Sequence, residues 1–325
     1  MNVPQPIAEW RGVDRTLFER EIVPRHEPAV LRGLVAHWPA VRLAGEPDTA
    51  LCEALAALDN GTEVDALMLP PRYRGRIFYG DHFGEGQPGF NYLRNRVPLS
   101  QVIEQLLRYA RFPDPPALAA QSALASDCAP GFAAAHTMPL LPDSVAPRLW
   151  LGNAIVTPTH FDESSNIACV AAGERRFTLF PPEQISNLYV GPLGHAPTGT
   201  PISLVDLAAP DLVRFPRFVA ALQAARGAVL GPGDALYIPP LWWHHVASQR
   251  PLNLLVNYWW RADAAPSGLD ALQQAQQAFG AMPAAQRRAW QALLAHWVFE
   301  ADETTNAHIP PALRDPPGGN GTGPR

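Results

Sequence analysis

Proline content limits the folds that this chain can adopt more than any other feature of its sequence. There are 36 prolines among 325 residues, about twice the share of an average protein. A proline inside a helix removes a hydrogen bond and clashes with the preceding turn, so frequent prolines keep helices short and favour a body rich in loops or strands. The length suits one large domain or two ordinary ones, with a sizeable buried core.

The charged residues exclude some functions. The formal net charge is −5, and all 25 basic residues are arginine. An acidic chain lacks the basic surface that binds phosphates, so we expect no nucleic-acid partner. The absence of lysine also excludes every mechanism that forms a Schiff base on a lysine side chain.

The cysteines and the apolar segments indicate a compartment. Three widely spaced cysteines without a CxxC pair fit reduced thiols better than a disulfide framework or a zinc site. The first ten residues lack the basic start and apolar run of a signal peptide. No apolar stretch approaches the roughly 18–20 residues that span a bilayer. We therefore expect a cytoplasmic protein without a membrane partner.

Short apolar runs predict a β core. They are rich in Leu, Ile, Val and Phe and are bounded by Gly, Pro and Asn, which is typical of strands in a sandwich or small barrel. The predicted strands are 29–34, 148–156, 166–170, 176–180, 235–238 and 252–260. Apolar residues at helical spacing predict helices at 16–22, 48–60, 98–109, 269–279 and 284–297.

These elements predict four parts of the chain. A helical or irregular part, 1–147, packs on a β core at 148–262, and C-terminal helices occupy 263–309. A tail rich in proline and glycine, 310–325, is disordered. Within the first part, 112–148 is rich in proline and alanine with weak periodicity, so we predict irregular structure there.

His160 and Asp162 stand two residues apart in the segment TPTHFD at 157–162. Alternate residues of a strand point to the same face, so the imidazole and the carboxylate would lie side by side. They would supply two of the three ligands in the facial triad of non-haem Fe(II) oxygenases, which leaves metal positions open. The motif alone is weak, because such tripeptides occur by chance in many chains.

A third ligand must come from another segment, and GPGDALYIPPLWWHH at 231–245 offers a histidine pair. A turn at 231–234 leads into a strand, which prolines end just before His244 and His245. The chain between Asp162 and His244 is long enough for several strands to return it to His160. In the alternative, the tryptophans and histidines are core residues beside a turn.

The segment 149–260 resembles the cupin-like JmjC family of Fe(II)/2-oxoglutarate oxygenases, especially its bacterial members and the asparaginyl hydroxylase called factor inhibiting HIF. The matching phrases are TPTHFDESSN at 157–166, GERRFTLFPPEQ at 173–184, NLYVGPL at 187–193, GDALYIPPLWWHHV at 233–246 and NLLVNYWW at 253–260. Weaker likeness covers nearly the whole chain. The resemblance implies a mainly β fold, a double-stranded β-helix or jelly roll, with helical additions at both ends.

The resemblance implies an Fe(II) site and no catalytic residue beyond the metal centre. Its three ligands are His160, Asp162 and His244. In the family the ligand is the histidine directly after the tryptophan, which favours His244 over His245. His245 is then a structural neighbour on the same strand.

The resemblance also implies a site for 2-oxoglutarate as cosubstrate. Its contacts are Thr157, Asn166, Arg175 and Asn257. Arg175 takes the place of a lysine that anchors the far carboxylate, and a guanidinium can hold a carboxylate through two parallel hydrogen bonds. Arg176 is the alternative anchor, although on a regular strand it points to the opposite face.

One position departs from the family pattern. A tyrosine often hydrogen-bonds the same carboxylate, and here Ala119 stands in its place. The loss of a hydroxyl donor costs on the order of 1 kcal/mol, and more if the carboxylate is left without enough donors. The extra donors of an arginine can compensate; otherwise 2-oxoglutarate binds more weakly.

The predicted enzyme is a 2-oxoglutarate-dependent dioxygenase that hydroxylates an amino-acid side chain in a protein or peptide. Two alternatives are a hydroxylase of a small metabolite with the same mechanism and an inactive metal-binding cupin that serves as a sensor or scaffold. Related enzymes dimerise through C-terminal helices, so we expect a homodimer through the helices at 269–297. In the alternative, these helices fold back on the barrel.

Overall fold

The computed structural model describes residues 3–87, 89–261 and 266–309. They belong to two compact units, which divide after residue 264. The tail predicted at 310–325 lies outside the described residues.

Two β-sheets form the body of the first unit. Their strands are β1 (Gln5–Pro6), β2 (Ala8–Arg11), β3 (Ala29–Arg32), β4 (Glu63–Leu69), β5 (Leu93–Pro98), β6 (Ala117–Leu124), β7 (Arg148–Gly152), β8 (Val156–His160), β9 (Ser165–Ala172), β10 (Arg175–Phe180), β11 (Arg226–Leu230), β12 (Ala235–Ile238), β13 (Trp243–Ser248) and β14 (Asn253–Trp260). The smaller sheet has the order β1-β11-β10-β13-β8, and the larger has the order β2-β3-β12-β9-β14-β7-β6-β4-β5. Only β1–β11 and β2–β3 pair in parallel among these strands.

The helices of both units are short. In the first unit they are α1 (Arg15–Leu17), α2 (Pro39–Leu43), α3 (Asp48–Ala56), α4 (Leu99–Tyr109), α5 (Ala125–Cys128), α6 (Phe132–Ala135) and α7 (Phe218–Ala224), with a π-helix at Phe18–Ile22 and 3-10 turns at Val23–Arg25, Pro71–Tyr73, Phe83–Glu85 and Pro182–Asn187. The second unit contains α8 (Gly268–Phe279) and α9 (Ala284–Leu294), followed by a π-helical turn at Ala295–Phe299. None of these helices is long and apolar enough to cross a membrane.

Apolar side chains from both sheets meet in one buried cluster. The smaller sheet contributes Phe177, Leu179 and Val246, and the larger contributes Val170 and Leu255. Because alternate residues of a strand face the same way, these positions define the inner faces of the two sheets. Two antiparallel sheets packed in this way form a jelly roll, and the space between them is where the predicted site residues lie.

A second buried cluster covers the outer face of the larger sheet. Helix α4 buries Leu99, Val102, Ile103 and Leu106, which recur at the i, i+3, i+4 and i+7 spacing of one helical face. Strand residues such as Cys169 pack against this layer. The larger sheet is therefore buried on both faces, which explains the continuous apolar run of β9 in the sequence.

The structure contains strands that the sequence did not predict in its first part. Strands β4, β5 and β6 extend the larger sheet within the part predicted to be helical or irregular. Strand β6 is the most unexpected, because ALAAQSAL has low intrinsic preference for a strand. Its small side chains lie between β4 and β7, where close packing with Gly152 and burial decide the conformation.

Candidate metal centre

An irregularity between β8 and β13 positions the first predicted ligand. His160 pairs with His244, whereas Thr157 pairs with Val246, so three steps on β8 match two steps on β13. This is a β-bulge, and it turns two side chains of odd spacing toward the same face. Since Val246 lies in the cluster between the sheets, the side chains of Thr157 and His160 both face that interior.

The three predicted metal ligands come together at this point. Ligand atoms of His160, Asp162 and His244 all lie within 4.8 Å of one another. The Nε2 atom of His244 is 3.6 Å from Oδ2 of Asp162, and the two imidazole rings have centroids 4.2 Å apart. The backbone N–H of Leu241 donates to the carbonyl of Asp162 at 2.8 Å, which ties the two ligand-bearing segments together.

Hydrogen bonds to backbone carbonyls fix both imidazoles. Nδ1 of His160 is 2.8 Å from the carbonyl oxygen of Pro158, and Nδ1 of His244 is 3.0 Å from that of Trp242. A carbonyl only accepts, so each Nδ1 carries the proton and donates it. Each ring therefore turns Nε2 toward the triad, which is how ligating histidines are usually oriented.

The electrostatics of the triad favour the neutral imidazole. Burial and the neighbouring His244 ring lower the pKa of His160 to about 4. At neutral pH the ring is therefore uncharged, which is the form that binds a metal. With one carboxylate, the set has two nitrogen donors and one oxygen donor, as in facial-triad sites.

The structure separates the two histidines of the pair. His244 is buried with 3% of its surface exposed and faces the space between the sheets. His245 is the next residue on β13 and pairs with Thr178, so its side chain points to the opposite face. Only His244 of this pair joins the cluster of candidate ligands among the described residues.

Arg175 is a buried cation on the strand next to the one that carries His244. It lies on β10 next to β13 and is 7% exposed, whereas Arg176 is exposed. Its Nη2 donates to the carbonyl of Trp150 at 3.4 Å, but its Nε is buried and has no hydrogen-bond partner in the described part of the chain. No acidic side chain in the described part of the chain forms an ion pair with it, and burial lowers its pKa to about 10.

Ser248 is a site residue that the sequence analysis missed. It pairs with Arg175 across β10 and β13 and is 6% exposed. Its Oγ is buried and also has no hydrogen-bond partner among the described residues. Its spacing is the signal in the sequence: Ser248 follows His244 by four residues on one strand, so both side chains lie on the same face.

The remaining predicted contacts lie on the larger sheet. Asn166 on β9 and Asn257 on β14 are 5% and 2% exposed, and Nδ2 of Asn257 donates to Oδ1 of Asn166 at 3.3 Å. Nδ2 of Asn166 is 3.5 Å from Oδ2 of Asp162. Ala119 lies in an apolar cluster with Leu67 and Ile155. The larger sheet thus brings two amides to the triad but no hydroxyl at the position of the family tyrosine.

Comparison with known families agrees with this geometry. Residues 15–265 match the family described as Cupin-like domain, and the chain belongs to that family. The predicted membership of the cupin-like JmjC proteins and the predicted mainly β jelly-roll fold are thereby confirmed. The particular likeness to the asparaginyl hydroxylase and to bacterial members stays a prediction.

Individual relatives extend the comparison over most of the chain. The human bifunctional peptidase and (3S)-lysyl hydroxylase JMJD7 is 30% identical over 271 residues, which cover 75% of this chain and 80% of that protein. Jumonji C domain-containing protein 5 of Drosophila melanogaster is 32% identical over 254 residues, 75% of this chain and 57% of the relative. The lysine-specific demethylase JMJ31 of Arabidopsis thaliana matches over 118 residues, 36% of this chain and 21% of the relative, at 33% identity.

Proposed function

We propose that this protein is an Fe(II)- and 2-oxoglutarate-dependent dioxygenase that hydroxylates an amino-acid side chain in a protein or peptide. One observation carries the proposal: a buried arginine without an acidic partner in the described residues lies one strand away from a histidine–aspartate–histidine cluster. A buried cation without a counter-charge is unfavourable unless a ligand supplies the charge. A dicarboxylate that reaches from the metal to Arg175 supplies it.

The donor set fits Fe(II). His160, Asp162 and His244 offer two imidazole nitrogens and one carboxylate oxygen, a donor set that would leave other positions of the metal open. When bound with 2-oxoglutarate, Fe(II) supplies the chemistry that uses O2 to decarboxylate the cosubstrate and hydroxylate a C–H bond. The chain's own residues bind, orient and desolvate the reactants.

The pocket residues fit the far carboxylate of 2-oxoglutarate. Nε of Arg175 and Oγ of Ser248 are buried donors on paired residues, and neither has a hydrogen-bond partner within the described ranges. We propose that Ser248 supplies the hydroxyl that Ala119 lacks, and that Thr157 faces the same carboxylate from β8. The amides of Asn166 and Asn257 then lie near the end of the cosubstrate that binds the metal.

Apolar residues around these polar side chains exclude water. Phe177, Val246 and Leu255 pack between the sheets beside Arg175 and His244. Removal of water strengthens the charge-assisted bonds that Arg175 makes, because the local dielectric constant falls. Thus the protein supplies geometry and a dry pocket, while the metal and cosubstrate supply the oxidation.

The substrate class rests on the comparisons. The relative named as a lysyl hydroxylase aligns with three quarters of this chain, and by that likeness we propose a protein or peptide side chain as the substrate. Hydroxylation of a small metabolite is the second candidate. The match to the demethylase covers only about a third of this chain, so we do not propose demethylation as an activity of this protein.

Anaerobic titration of 2-oxoglutarate into the Fe(II)-loaded protein tests the site. We expect a saturable visible charge-transfer band, because chelation of Fe(II) by a keto acid produces one. The band should be absent in His160→Ala. A protein that binds Fe(II) but gives no band would overturn the cosubstrate assignment and favour a sensor or scaffold.

Fractionated cell extract then separates the two substrate classes. Under ¹⁸O2 with Fe(II) and 2-oxoglutarate, we expect the macromolecular fraction to increase succinate formation and to gain ¹⁸O on a side chain. If only the small-molecule fraction does so, the substrate is a metabolite. The reacting lysines, if any, belong to the extract, since this chain contains none.

We also propose that the second unit mediates homodimerisation. The hairpin of α8 and α9 has a ring stack between Phe279 and Trp290 at 4.8 Å. Large apolar side chains in and after α9 are exposed, among them Trp297 at 49% and Phe299 at 79%. Such a surface is typical of a protein interface. A second copy of this chain is the occupant that we propose.

Light scattering of purified protein tests the dimer. Trp297→Glu is expected to convert a dimer into a monomer, because burial of a carboxylate in an apolar interface is unfavourable. Gln291→Glu adds the same charge at an exposed position of α9, on a different helical face from Leu293, and should leave the mass unchanged. A monomeric wild-type protein would contradict the proposal.

A further inference from the structure

Three hydrogen bonds between side chains connect β7, β14 and β9 to the metal cluster. Nε1 of Trp150 donates to Oδ1 of Asn257 at 2.8 Å. Nδ2 of Asn257 donates to Oδ1 of Asn166 at 3.3 Å, and Nδ2 of Asn166 reaches Oδ2 of Asp162 at 3.5 Å. We refer to these four residues as the amide relay.

The indole at the start of the amide relay determines the direction of every bond in it. An indole N–H only donates, so Asn257 must turn its oxygen toward Trp150 and its NH2 group toward Asn166. Asn166 must then accept with its oxygen and turn its own NH2 group toward Asp162. Without this donor, only the long 3.5 Å contact with Asp162 would favour this orientation over one rotated by 180°.

The orientation of Asn166 matters for the metal ligand. An ionised carboxylate only accepts, so the NH2 group of Asn166 attracts Oδ2 of Asp162, whereas its oxygen would repel it. The same Oδ2 atom lies 3.6 Å from Nε2 of His244. The relay therefore holds the carboxylate oxygen that faces the second histidine, across the space between the two sheets.

We propose that Trp150 is a positioning residue, which acts through Asn257 and Asn166 to orient Asp162 for metal binding. This inference rests on the proposed function, because it takes the triad to be the metal site. Residues that orient a metal ligand without touching the metal commonly change affinity by about 10- to 100-fold. Trp150 does not touch the ligand itself and acts on it through two intervening amides.

The test is a double-mutant cycle with Co(II) affinity as its readout. Trp150→Phe keeps an aromatic ring but removes the N–H donor, and we expect about 10-fold weaker Co(II) binding. In an Asn166→Ala background, the same change should alter the affinity by less than about twofold, because the connection is already broken. A merely structural role of Trp150 would weaken binding equally in both backgrounds.

Trp259→Phe is the matched control. Its ring lies 5.9 Å from that of Trp150, but its Nε1 is buried without a hydrogen-bond partner among the described residues. We expect unchanged Co(II) affinity and an unchanged visible Co(II) spectrum. Equal loss in both tryptophan variants would overturn the inference, as would unchanged affinity in Trp150→Phe. If Trp150→Phe does not fold, the test uses Trp150→His, which keeps a ring N–H, and Trp150→Leu, which does not. The inference then requires tighter Co(II) binding by Trp150→His than by Trp150→Leu.

The outcomes separate this inference from the proposed function. If the wild type binds Co(II) and 2-oxoglutarate but the cycle shows no coupling between Trp150 and Asn166, only the role of Trp150 is overturned. Binding of Co(II) with the expected coupling, but no 2-oxoglutarate band with Fe(II), overturns only the proposed function. A wild type that binds no metal overturns both.

Discussion

Arg175→Met is expected to raise the Kd for 2-oxoglutarate by about 100-fold or more without weakening metal binding. Two hydrogen bonds to a charged group contribute roughly 3 kcal/mol or more, and each 1.4 kcal/mol corresponds to about a tenfold change in Kd. Arg175 is 7% exposed, and its guanidinium has no acidic partner in the described residues. The measurement is calorimetric titration of 2-oxoglutarate into the anaerobic Mn(II)-loaded protein.

Matched variants distinguish an anchor from a general loss of structure. Arg176→Met changes the exposed neighbour on the same strand and should leave the Kd unaffected. Ser248→Ala should weaken binding in the same sense but less, by about tenfold, as for one hydrogen bond from a neutral hydroxyl to a charged group at roughly 1.5 kcal/mol. Weakening by Arg176→Met to the same degree as by Arg175→Met would contradict the assignment.

The thermal stability of Arg175→Met has an expected sign as well. Burial lowers the pKa of this guanidinium to about 10, which means that the charged form is disfavoured where it lies. Removal of an unpaired buried charge should therefore leave the ligand-free melting temperature unchanged or raise it. Addition of 2-oxoglutarate should stabilise the wild type and not the variant.

His244→Ala is expected to weaken Co(II) or Mn(II) binding by more than about 100-fold, because loss of a direct ligand exceeds the loss from residues that only support one. His245→Ala serves as the control, since it removes the same side chain from the next residue of β13 and from the opposite face. Calorimetry and melting curves of both variants compare affinity with stability. Loss of metal binding in His245→Ala but not in His244→Ala would contradict the site.

The sequence predicted those strands whose conformation follows from their own apolar pattern. The runs at β9, β10, β12 and β14 were predicted within a few residues, because their apolar composition and flanking turns agree with their burial. His160 and His244 were predicted to meet, and their rings are 4.2 Å apart. Their role as metal ligands stays a prediction, as do the 2-oxoglutarate contacts.

Other features depend on contacts that no local pattern contains. Strand β6 is rich in alanine, and its pairing with β4 and β7 outweighs its low strand preference. Strand β8 contains Pro158, and it lies at the edge of the smaller sheet, where a missing N–H is tolerated. The hydrogen bond from Trp150 to Asn257 joins residues that are 107 positions apart, so only the folded sheet reveals it.

The bulge in β8 has a consequence for how this segment can change over evolutionary time. Thr157 and His160 face the same interior only because three steps on β8 match two on β13. A deletion or insertion of one residue between them would turn one of the two side chains away, even though every recognisable letter of the motif survived. Substitutions of the intervening residues keep the spacing and change only local packing. We therefore expect selection to act more strongly on the length of this segment than on its composition.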